Sequence, residues 1–153
     1  ERVSARKKLS ATEKELSNVI YEQTGGNQNF ALIRSKGDTA LFGKHTKAMK
    51  AHWQVPDDRP MADFAPTIIL KAKDFAAEIT IHNAREQAMD HEPQISQEHV
   101  TNNEAVRKTL LDRGIRPESP PPAEDVKKVE RRLTSAEKKQ SRTLAGLMNS
   151  KEH

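Results

Sequence analysis

The chain has 153 residues, 34% hydrophobic, 31% charged and 4% aromatic, with a mean hydropathy of −0.86, which suits one domain with a modest core and long polar surfaces. Its 26 Lys and Arg against 22 Asp and Glu give a formal charge of +4 and an isoelectric point near 9.4, permitting an anionic partner without specifying one. Cysteine is absent, which excludes disulfides, thiolate metal sites and cysteine nucleophiles and fits a reducing, cytoplasmic compartment.

The chain opens on Glu1 rather than Met, so it reads as processed or truncated; the stretch Glu1 to Ser10 is too charged for a secretory signal. No apolar run approaches the roughly 20 residues needed to span a bilayer. Ser10-Ala11-Thr12-Glu13 has the form of a capping box, and Leu16, Val19 and Ile20 follow at helical spacing until Gly25-Gly26. From Asn27 to Trp53 the pattern breaks up: Phe30 to Ile33 before Gly37, Asp38 to Phe42 before Gly43, and a segment from Thr46 carrying Met49 and Trp53. Short helices joined by tight turns are expected there. Pro56 and Pro60 bracket a loop, and Pro66 suits a first helical turn.

The apolar stripe Ile68, Ala72, Phe75, Ala76 and Ile79, with Leu70, Ala77 and Ile81 on another side, predicts a long buried helix at the centre of the core. His91-Glu92-Pro93 reads as a break, after which Ser96 caps a helix through Val100, Val106 and Leu110 that Gly114 ends. Pro117 and Pro120-Pro121-Pro122 form a stiff spacer. Beyond it come a narrow stripe (Val126, Val129, Leu133), a second capping box (Thr134-Ser135-Ala136-Glu137) and a last apolar cluster (Leu144, Leu147, Met148). The expected fold is all-α: a small bundle of one long buried helix with several short helices, then a proline spacer and an extended C-terminal helix. The expected division is a helical core over 1–116, a spacer over 117–122, and a basic helix and tail over 123–153.

Three blocks carry a family resemblance. Ile33-Arg34-Ser35-Lys36-Gly37-Asp38 followed by Leu41-Phe42-Gly43 is the first; Ala62-Asp63-Phe64-Ala65-Pro66-Thr67 running through Lys71 to Ala76 and on to His82-Asn83 is the second. The third comprises Val100 to Arg107, Arg113-Gly114-Ile115-Arg116-Pro117-Glu118, and Pro122 to Arg132. In order and spacing they resemble the C-terminal, all-helical part of the bacterial DNA-damage-inducible protein D family, over about residues 5 to 133. The resemblance implies induction in the SOS response and interference with a recombinase filament on single-stranded DNA. It also implies an N-terminal DNA-binding domain that these residues do not include, and a regulatory rather than enzymatic role.

The basic helix after the spacer is the leading candidate contact with DNA or a filament. Lys127 with Arg131, and Lys128 with Arg132, are like-charge pairs four residues apart, each costing a helix about 0.2–0.5 kcal/mol, and positive charge concentrates from Lys127 to Arg142. A solvated, frayed helix is the ordinary alternative. Arg34 and Lys36, in a loop with Ser35, Gly37 and Asp38, suit a phosphate, although Gly37 as a turn and Asp38 as an N-cap explain it equally well. Arg107, Lys108, Arg113 and Arg116 complete the basic set. Val126, Val129 and Leu133 are candidate partner-helix contacts, and a homo-oligomer through the C-terminal helices is the alternative function.

No histidine lies at i, i+4 from another, so no metal or cofactor is expected; His82 and His99 are assigned to hydrogen bonding at helix ends or packing faces, assisted by Asn83 and Asn102. Asp57-Asp58 and Glu124-Asp125 read as charges at helix starts. The aromatic residues are assigned to packing, with Trp53 the best placed to stack on a base instead.

Overall fold

A computed structural model describes residues 1–26 and 29–151, with side chains through residue 149. Asn27, where the broken pattern begins, and His153 of the tail lie outside the described residues. The elements are α1 (Arg2–Thr24), α2 (Phe30–Phe42), α3 (Thr46–Trp53), a 3-10 turn (Met61–Phe64), α4 (Thr67–Glu86), α5 (Glu92–Asp112) and α6 (Val126–Lys151). The fold is all-α. Helix α1 lies along α4, and α5 packs on both α4 and α2. No helix among the described residues is long and apolar enough to cross a membrane.

The central helix has company of its own length: α1 has 23 residues, α4 has 20 and α5 has 21. Sequence reading shortens the outer two because polar residues inside a helix imitate its ends. Ser10 and Thr12 sit within α1, where the Ser10 hydroxyl accepts from Arg6 and the Thr12 hydroxyl donates to the Lys8 carbonyl one turn back. Pro93 occupies the first turn of α5, where its missing N–H costs nothing, so that helix starts at Glu92 rather than at Ser96. Thr134 to Glu137 lies inside the continuous α6.

The broken pattern before Gly43 closes into one helix, α2, because Gly37 is a contact residue and not a stop. A Cβ there would lie 2.6 Å from His99 Cδ2 and Nε2, so the missing side chain lets α5 come close. The apolar stripe of α4 is also rotated from the expected one. Ile69, Leu70, Ala72, Ala76, Ala77, Ile81 and Ala84 are buried, whereas Ile68 is exposed and Phe75 is 60% exposed. Small residues allow α1 and α5 to flank α4 closely, and the larger Phe75 is left outside.

Two apolar clusters form the core. One joins Leu9, Leu41, Phe42, Met49, Trp53, Ile69, Leu70 and Val106; the other joins Leu16, Val19, Ile20, Ile33, Ala77, Ile81, Met89 and Ile95. Trp53 belongs to the first, edge-on to Phe42 at 5.5 Å between centroids, so it is a packing residue and no base platform.

After α5, Gly114 takes the left-handed conformation (φ 81°) and Ile115 N–H returns to the Leu110 carbonyl, which turns the chain back over the core. The following segment is tied down at several points. Trp53 Nε1 donates to the Pro120 carbonyl at 3.0 Å, Ala123 N–H donates to the Phe64 carbonyl, and Arg107 forms a paired contact with Glu118 at 2.7 and 3.0 Å.

Candidate nucleic-acid interface

Helix α6 is anchored at its first turn. Asp125 Oδ1 accepts from Lys127 N–H at 3.0 Å as an N-cap, while both of its oxygens accept from Arg59 at 2.7 and 2.8 Å. Arg59 also donates to Asp63, which accepts in turn from Arg6 at 2.8 Å, and Arg2 donates to the Glu124 carbonyl. The Arg59 guanidinium holds the Asp125 carboxyl down to about 2, and the two carboxylates raise Arg59 above its ordinary value. Val126 is buried behind this network. From Arg131 to Asn149, by contrast, every residue is exposed.

At about 100° per residue, one side of α6 carries Lys127, Lys128, Arg131, Arg132, Lys138, Lys139 and Arg142 around Ser135. The opposite side carries Val126, Val129, Leu133, Ala136, Gln140, Leu144 and Leu147, with Glu130 and Glu137 along one border. The cations run for about 22 Å at 1.5 Å per residue. Arg132 is held by Glu124 at 2.6 and 2.7 Å. The other six form no ion pair among the described residues. Such a face presents dense, solvent-exposed positive charge.

The remaining candidates lie on other elements. Arg34 lies over the Phe30 ring at 5.8 Å and 3.6 Å from Glu13; Lys36 is exposed beside His45 and Glu104 in a shallow groove between α2 and α5. Both are on α2 and not on a loop, because Gly37 does not interrupt the helix. Arg107 is a fastener, donating to the Leu41 carbonyl as well as to Glu118. Lys108 pairs with Asp112 at 2.8 Å, and exposed Arg116 lies 3.9 Å from Glu118; Arg113 is exposed at the end of α5. Of the partner-helix triplet, Val126 is spent inside the protein, Val129 is half-buried, and Leu133 is 51% exposed.

A buried polar group that the sequence does not signal joins α2, α4 and α5. Lys73 and Asp38 pair at 3.0 Å with both side chains largely enclosed. His99 Nδ1 lies 3.0 Å from Thr80 Oγ1, which also accepts from Asn102, and Asn103 donates to the His99 carbonyl. Burial pushes His99 down to about 4, the neighbouring Asp38 opposing that shift and Lys73 adding to it. Thus His99 and Asn102 hold the packing face as expected, while Asn83 donates to Glu98 and His82 is exposed. Lys73 carried no signal in the sequence, since a lysine on an amphipathic helix normally marks its wet side.

No curated protein and no solved structure matches the chain. Residues 1–129 match the family model of the DinD C-terminal domain, from α1 to the first turn of α6, and the cationic face beyond Val129 lies outside that match. With most of its length covered by one family model, the chain belongs to the DinD family of DNA-damage-inducible proteins, as its C-terminal domain.

Proposed function

We propose that this chain is a non-catalytic regulatory module that contacts DNA, or a recombinase filament on single-stranded DNA, through the cationic face of α6, and thereby modulates recombination after damage. The observation that carries this reading is the set of six cations on one side of an anchored helix that have no carboxylate partner among the described residues. Like charges at four-residue spacing cost stability in the isolated protein, and a polyanion laid along the face would relieve that repulsion. Membership in the DinD family supplies the setting of DNA damage. Arg34, Arg107, Lys108 and Arg132 are engaged within the chain and are not assigned to the contact; Arg116 lies near Glu118, and Arg113 and Lys36, with no ion pair among the described residues, lie with it on other elements.

Binding of single-stranded DNA releases counterions with a logarithmic salt slope of about −0.7 per phosphate neutralised, so six free cations set a limit near −4. Titrations of labelled oligonucleotide at a series of salt concentrations are expected to give a slope of about −2 to −4. A slope near zero, or no binding at low salt to either DNA or filament, contradicts the proposal.

A further inference from the structure

Among the described residues, nothing covers the side of α6 turned away from the cations. Leu133, Leu144, Leu147 and Met148 are 51–67% exposed, while most other large apolar side chains are inside the protein. Exposed apolar residues recurring along one helix face mark an interaction surface. A membrane surface suits it poorly, because Glu130 and Glu137 border the stripe where a lipid-facing helix would carry lysine or arginine.

The borders themselves point to the occupant. Read in heptads from Val126, the seam positions are Val126, Val129, Leu133, Ala136, Gln140, Thr143 and Leu147. One flank then carries Arg132 and Lys139, and the other carries Glu130 and Glu137. An antiparallel partner of the same sequence would set each flank against itself, cation on cation and carboxylate on carboxylate. A parallel partner sets Arg132 of one copy against Glu137 of the next, and the reverse, by two-fold symmetry. Parallel alignment in register also brings Gln140 opposite Gln140, where the two amides satisfy one another and a slipped register buries them unpaired. Glu137 has no ion pair among the described residues, so it is free to accept one; Arg132 would exchange Glu124 for Glu137 of the second copy or bridge both.

We infer that two copies of this chain associate through the apolar stripe of α6 as a parallel, in-register helix pair beginning at Leu133, with Arg132 and Glu137 of opposite copies paired. Val126 and Val129 lie at the junction with the core and contribute little. Lys139 flanks the seam, but Lys127, Lys128, Arg131, Lys138 and Arg142 point outward from such a pair, so association and nucleic-acid binding can be tested separately.

The test is sedimentation velocity of the whole chain without nucleic acid, from low micromolar to several hundred micromolar. A concentration-dependent dimer is expected, with Leu133→Glu/Leu147→Glu raising its dissociation constant at least about tenfold while circular dichroism shows the core helices intact. Orientation is read from two charge variants. Arg132→Glu alone and Glu137→Arg alone each face like charges in a parallel homodimer and are expected to associate more weakly than the unmodified chain. Mixed one to one, they form two attractive pairs, and the dimer is expected to return. A chain that stays monomeric throughout overturns the inference, and so does a mixture that associates no better than its components.

Discussion

A methyl group at position 37 would meet the His99 ring at 2.6 Å, with Asn103 Nδ2 at 3.0 Å, so the one glycine inside α2 is a spacing device. Alanine is the better helix former by about 1 kcal/mol, yet Gly37→Ala is expected to destabilise the protein by about 1–3 kcal/mol, read as a lower urea midpoint. A gain in stability would show that α5 can retreat freely. His99 itself gives a pH signature. Its folded value of about 4 lies below the ordinary 6.5, so between these the unfolded chain binds more protons. The stability due to neutral His99 is therefore complete above pH 6.5, declines as pH falls towards 4, and is lost to a limit of about 3 kcal/mol. At pH 5 the loss is expected to be about 2 kcal/mol relative to pH 7.5, and His99→Gln should lack that component of the slope. Equal slopes for both proteins would remove the buried histidine from the explanation. The hydrogen-bonding role of His99 was legible beside Asn102; the requirement for glycine opposite it was not, because Gly37 and His99 are distant in sequence and only the crossing of α2 and α5 joins them.

Helix α6 depends at its start on a residue far away in the chain. Glu124-Asp125 is readable as an acidic helix start, and Asp125 does cap α6, but the bidentate Arg59 that orients it lies 66 residues earlier. Asp125→Ala is expected to cost about 1 kcal/mol for the lost cap, with a further loss because Arg59 and Asp63 no longer share a full network. Hydrogen exchange should speed up at Lys127 to Glu130, and Asp125→Asn, which keeps an N-cap acceptor, should exchange at intermediate rates. Unchanged exchange in the alanine variant would mean that Val126 alone fixes the helix. Cap-like residues inside helices likewise obscure the element boundaries in the sequence. Ser10, Ser96 and Thr134 all have the chemistry of a cap, and each lies inside a longer helix because its neighbours bury a continuous face or, in α6, because nothing competes with the helix. The α4 stripe was misassigned for a related reason: periodicity finds an apolar face, but which of two adjoining faces is buried was decided by where α1 and α5 pack.

At the scale of the molecule, a helical body matching the DinD C-terminal domain carries a charged helix that extends away from it. The all-α class and the basic character of the C-terminal helix were both visible in the sequence, through helical spacing and the run of lysine and arginine. The sequence did not separate the cations that are spent from those that are available: Arg107 and Arg132 look the same as Lys127 and Arg131 until Glu118 and Glu124 are placed beside them. Charge reversal of Lys127, Arg131, Lys138 and Arg142 should abolish binding, whereas charge reversal of Lys36, Arg113 and Arg116 should leave most of it. The decisive measurement is fluorescence anisotropy of labelled single-stranded DNA, bare and with recombinase filament assembled, titrated at low salt with the unmodified chain and with these two variants. Binding by the unmodified chain and the second variant, lost in the first, is the predicted result; binding that survives reversal of the α6 face contradicts it.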